Sequence, residues 1–169
     1  MADLQRKTEN LFLSNWERGA IDSSGMDIPS ANGVRTKNYI PVTPNTIYSM
    51  SRNIATSYIN LRFYNSNKQY INYGTSSNVR LISGNSEGNP MAAGMGFCCF
   101  EIIDTNIKYM RINDNSNDTS TKYMMVEGQY TASTMPAYEP YGWVHSLRKL
   151  TTTGWHDASV KEWDGSEWQ

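Results

Sequence analysis

Basic charge in excess is the first thing missing. The formal net charge is −1, so nothing offsets a phosphate backbone, and nucleic acid is not expected as a partner. No apolar run reaches the ~18 residues of a membrane-crossing helix, so no membrane span is expected. Met1 to Asn10 carries no apolar stretch of signal-peptide type. The expectation is a chain made in the cytoplasm and not exported by the general secretory route; a chain released by cell lysis would look the same.

Histidine and cysteine are scarce too. His145 and His156 are the two histidines, and neither has metal-ligand spacing to a second His or Cys. Cys98 and Cys99 are adjacent. Neighbours on a strand point to opposite faces, so this pair is badly placed to bridge, and two small buried apolar side chains are expected. No third cysteine completes a metal set. No Gly-x-Ser-x-Gly elbow or phosphate-cradling loop is present. Gly94-Met95-Gly96 lacks the strand–loop–helix setting of a nucleotide site. Catalysis is therefore not expected.

What replaces charge is polar, uncharged and aromatic. Charged residues are 18% and hydrophobic ones 38%, yet eleven Tyr and five Trp supply large buried areas per residue. This composition suits β-structure with long loops, not a helical bundle.

The patterning agrees. Strand signals cover 34–42, 46–51, 57–64, 68–73, 79–82, 97–103, 107–113 and 121–127, with turn signals between them. The clearest is Ser57 to Tyr64. Ile59, Leu61 and Phe63 face one way at period two, and Tyr58, Asn60, Arg62 and Tyr64 the other. Strands every ten residues or so predict an all-β antiparallel sandwich. Residues 10–32 read as an irregular, partly packed opening, and 1–9 as an arm or short helix anchored by Leu4. Residues 143–153 read as a short helix or connector. Val160 to Trp168 reads as a hairpin turning at Asp164-Gly165. The domain division is thus 1–9, 10–142 and 143–169.

An ordered set of phrases runs through the central part. It comprises Glu9-Asn10-Leu11-Phe12, then Tyr39-Ile40-Pro41-Val42-Thr43-Pro44-Asn45-Thr46-Ile47-Tyr48, then Leu61-Arg62-Phe63-Tyr64-Asn65-Ser66-Asn67-Lys68. Lys108-Tyr109-Met110-Arg111-Ile112-Asn113, Met124-Met125-Val126-Glu127-Gly128 and Tyr138-Glu139-Pro140-Tyr141-Gly142 follow. In this order the chain resembles a domain of phage tail, baseplate and tail-associated proteins. The resemblance implies a jelly-roll sandwich, similar to galactose-binding-like and carbohydrate-binding modules, in a virion structural protein. It carries over no ligand residue.

Candidate contacts follow from side-chain chemistry. Sugars are held by aromatic faces and planar polar groups, and Trp16, Arg18, Tyr64, Asn65, Arg80 and Asn85 sit in or beside expected loops. For Trp16 the competing reading is a cap on the sandwich, and for Tyr64 a cross-strand packing partner. Arg62 and Arg111 are expected on a solvated sheet face or an interface. Leu4, Trp143, Trp155, Trp163 and Trp168 are the candidate assembly residues, because arm and tail are too small to be stable alone. No cofactor is expected. A structural calcium ion at the Asn113–Asp118 loop stays open, with a plain polar turn as the alternative.

The expected partners are other virion proteins, further copies of the chain and bacterial cell-surface polysaccharide. Three readings remain. They are a virion module touching host glycans, a pure assembly brick, and a cell-wall-degrading fragment that would need an acid pair or metal triad in one cleft.

Overall fold

The computed structural model describes residues 5–7, 10–12, 15–72, 78–116, 119–138, 143–145, 147–151 and 154–158. Every regular element among them is a strand. In chain order these are β1 (Gln5–Lys7), β2 (Trp16–Arg18), β3 (Ala20–Ile21), β4 (Asp27–Ile28), β5 (Val34–Thr36) and β6 (Ile40–Pro41). Then come β7 (Thr46–Arg52), β8 (Ile59–Tyr64), β9 (Tyr70–Asn72), β10 (Val79–Ser83), β11 (Phe97–Ile102), β12 (Tyr109–Asp114) and β13 (Tyr123–Glu127). The last are β14 (Trp143–His145), β15 (Leu147–Thr151) and β16 (Gly154–Ala158). The expected all-β antiparallel sandwich is present.

Two sheets enclose one core. One has the order β10-β11-β7-β13, the other β2-β5-β12-β8-β9, with β6 also paired to β12. The chain steps between sheets from β7 to β8, and again from β11 to β12 to β13. Period-two alternation decides what faces inward. Ile59, Leu61 and Phe63 on β8 meet Met110 and Ile112 of β12, and Tyr48, Met50, Cys98, Phe100, Tyr123 and Met125 of the other sheet, all in one buried cluster. Met91 joins it from the long 84–96 segment, where its carbonyl takes the Ile59 N–H at 3.0 Å.

The segment 34–42 is two strands instead of one. Both β5 and β6 pair with β12, but the stretch between them leaves the ladder. There the Thr36 carbonyl accepts Arg111 Nε at 2.9 Å and Nη2 at 2.6 Å, and Thr36 Oγ1 accepts the Ile112 N–H. Lys37 N–H goes to Asn15. Side-chain bonds thus replace ladder bonds at the break.

The edge at β13 is closed by Asn10 and Leu11. Asn10 donates to the Tyr123 carbonyl at 3.0 Å and accepts the Met125 N–H at 3.0 Å, while Leu11 N–H reaches the Met125 carbonyl at 2.7 Å. One amide side chain therefore stands in for a neighbouring strand, which blunts an edge otherwise open to other chains. Phe12 enters the core directly behind it.

Residues 143–145 and 147–151 form strands where a helix or connector was expected over 143–153. Trp143, Val144 and His145 pair with Lys7, Arg6 and Gln5. Leu147–Thr151 then pairs with Gly154–Ala158. The arm and the tail are therefore partners of each other in a ribbon outside the two sheets. The expected hairpin at 160–168 lies outside the described residues.

Candidate binding surfaces and the buried polar face

The outward face of the larger sheet carries the chain's densest chemistry. Alternation puts Asn60, Arg62 and Tyr64 of β8 beside Asn113, Arg111 and Tyr109 of β12, with Arg35 of β5 and Glu17 of β2 next in register. Such a face was expected in solvent or at an interface. Instead Arg111 is 3% exposed and Arg62 7%.

The cover is the chain's own β3–β4 hairpin. Arg62 Nε donates to the Asp22 carbonyl at 3.1 Å, and the Tyr64 hydroxyl to the Gly25 carbonyl at 3.1 Å. Arg35 Nη1 donates to the carbonyls of Ala20 and Ile28, and Asn113 Oδ1 accepts the Ile21 N–H. Arg111 Nη1 meets Asp27 Oδ1 at 2.7 Å, and Arg35 Nε meets Glu17 Oε1 at 2.8 Å. The guanidinium groups are buried without loss of bonding because backbone carbonyls and two carboxylates take their N–H groups.

The hairpin turn is built for this position. Asp22 Oδ1 accepts Ser24 N, Ser24 Oγ and Met26 N at 2.7–2.9 Å. The Ser24 hydroxyl, then the Met26 amide, hold the Asp22 carboxyl below the usual carboxylate range. Gly25 has φ +78°, and a Cβ there would lie 2.4 Å from the Tyr70 ring. Only glycine allows both that backbone and that approach.

At the open end of this layer lie half-buried aromatics. Tyr39 packs edge-on against Tyr64 and Tyr109, with Lys68 Nζ 5.0 Å and Arg111 Cζ 5.2 Å from its ring centre. Cations already occupy this ring. Burial pushes the Tyr64 phenol well above its ordinary value.

A second polar centre pins the loops at one end of the sandwich. Arg52 has a fully buried side chain and donates to the carbonyls of Ser57 (2.7 Å), Ala92 (2.9 Å) and Met95 (3.1 Å). Its Nη1 lies 3.9 Å from Asp114 Oδ2. Asp114 in turn accepts the Ser57 and Tyr123 hydroxyls and the Ser116 N–H. Burial, and then the Asp114 charge, push the Tyr123 phenol up. This arrangement fixes loops 53–58 and 91–96 from beneath.

Of the oxygens considered for calcium, those of Asn113, Asp114 and Asn115 are engaged in hydrogen bonds, while Asn117 and Asp118 lie outside the described residues. Asp114 serves the donors just named, and Asn113 Oδ1 serves Ile21. Among the described residues no group of three His, Cys, Asp or Glu side chains is placed to hold a metal ion.

The six residues considered for sugar are scattered over both sheets. Trp16 packs on Phe12 (5.7 Å) and Tyr123 (5.2 Å), closing the sandwich between β2 and β13. Its Nε1 is buried. Tyr64 is core-like, 1% exposed, at the end of a strand and not in a loop. Asn65 holds the β8–β9 turn, accepting the N–H groups of Asn67 and Gln69. Arg80 pairs across strands with Glu101. Asn85 Nδ2 donates to the Asn89 carbonyl, and Arg18 Nη1 to Ala31 at 3.4 Å. Arg18, Arg80 and Asn85 are the exposed members.

Of the assembly candidates, Trp143 lies in β14 and Trp155 in β16, in register with Lys7 and Leu150. Leu4, Trp163 and Trp168 lie outside the described residues. Sequence reading missed the hairpin cover. Its signal was the Asp22-Ser23-Ser24-Gly25 turn between Ile21 and Ile28.

Comparison with protein-family models, with curated proteins and with solved structures finds no match to this chain.

Proposed function

We propose that the chain is a non-catalytic structural module of a phage virion, carried on tail, baseplate or head, and used to assemble with other virion proteins and with further copies of itself. One observation carries this reading. The polar groups that a binding or catalytic face would present are bonded inward, to the 20–28 hairpin and to the loop end, while arm and tail join in a ribbon outside the sandwich. A two-stranded ribbon is marginal in water and keeps unpaired edges, which suits completion by a partner chain. The stepping of β7, β8, β11, β12 and β13 between sheets is the pattern expected of a jelly roll and supports that finer reading.

The receptor reading is second. Contact with host polysaccharide would fall to exposed loop side chains such as Asn85, because rigid loops on a sandwich suit recognition. Trp16 is not its probe, since removing a ring packed on Phe12 and Tyr123 would disturb the fold.

Immunolabelling of purified phage particles with antibody to the full chain tests the proposal. Decoration at a fixed position on the particle is the expected result. Recovery of the chain solely as free protein, with no label on particles, would overturn it. Saturable binding to wall polysaccharide, reduced in Asn85→Ala with the fold intact, would add the receptor role.

A further inference from the structure

We infer that Asn32 is a site of spontaneous modification, at which the side-chain amide is lost through a cyclic imide. It is the one asparagine in the chain followed by glycine. The Gly33 amide nitrogen attacks Asn32 Cγ, the Cγ–N bond breaks, and ammonia leaves. Water then opens the ring at either carbonyl, giving aspartate or isoaspartate and one new carboxylate.

The fold sets up both halves of this reaction. Gly33 is buried, and a Cβ there would lie 3.1 Å from the Gly19 carbonyl and 3.3 Å from Ser30 Oγ. Packing is tight enough around this position to favour glycine at 33, and glycine is the neighbour that hinders ring closure least. Asn32 itself is exposed, and among the described residues no hydrogen bond holds its amide or the Gly33 N–H. The asparagines that precede serine are held. Asn65 bonds Asn67 and Gln69, Asn85 bonds Asn89, and Asn115 bonds Asn113 and Tyr58. Those bonds resist the rotation that ring closure needs.

The position has structural consequences. Asn32 lies between Ala31, whose carbonyl meets Arg18, and Gly33, whose carbonyl accepts the Gly19 N–H at 3.0 Å. That Gly19–Gly33 bond is the root of the hairpin covering the polar face. Isoaspartate would add a backbone carbon at this root, and either product a negative charge beside Arg18.

The test is incubation of the native full chain at mildly alkaline pH, followed by tryptic mapping. The peptide Gly19–Arg35 contains Asn32 and no other asparagine. The expected result is a mass gain equal to exchange of NH for O in this peptide before any other, absent in Asn32→Ser. A chain unfolded in urea serves as control. Conversion in the unfolded chain with none in the native one would overturn the inference, as would earlier conversion at any other asparagine.

Discussion

Strands β8 and β12 of the larger sheet bury side chains on both of their faces, yet by opposite chemistry. Inward, Ile59, Leu61, Phe63, Met110 and Ile112 exclude water by apolar packing against the second sheet. Outward, Arg62, Tyr64 and Arg111 are buried by a hairpin whose backbone carbonyls and Asp27 take their N–H and O–H groups, and Asn113 accepts the hairpin's Ile21 N–H. The inner face is non-directional, so hydrophobicity and volume suffice. The outer face is directional. It works only if each donor meets its acceptor, and losing one partner strands the other.

Substitutions on the two faces should separate these modes. Phe63→Ala removes a fully buried ring and should cost about 3–5 kcal/mol in urea unfolding. Arg111→Ala should cost about 2–3 kcal/mol, because the Thr36 carbonyl loses both its donors and Asp27 its closest cation. Adding Asp27→Ala to it should then cost less than its effect alone. If the two effects simply add, the outer face is no network. Tyr64→Phe should cost about 1 kcal/mol, the value of one buried hydrogen bond to the Gly25 carbonyl.

The smallest effect is one of pH. Asp22 titrates below its unfolded value in the native chain, so its contribution is present above that unfolded value. It is lost as pH falls through the lower folded value. Acid unfolding of Asp22→Ala should therefore be shallower than that of the parent below about pH 4.

The contrast also explains what could be read from sequence. Alternation at Ile59, Leu61 and Phe63 gave strand and core face together, because period two and hydrophobicity coincide there. The same alternation placed Arg62 and Tyr64 on the outer face but carried no information on what covers it. Apart from the Asp27 carboxylate, the cover is held through its backbone and one glycine, and backbone carbonyls leave no mark on composition. Residues 10–32 therefore read as irregular. Tyr64 was weighed as a sugar contact for the same reason. In the tail, β-branched and aromatic residues at 143–144 favour a strand, but the partner at Gln5–Lys7 is too remote in sequence to be anticipated.

The central claim is that residues 20–28 are a fixed layer of the fold, not a loose loop over it. Hydrogen exchange at the Ile21 amide tests this most directly, since that N–H is bonded to the Asn113 side chain across the layer. The account predicts protection near that of the Leu61 amide, with opening only as the sandwich unfolds. Exchange at the rate of an unstructured peptide, with Leu61 still protected, would contradict it.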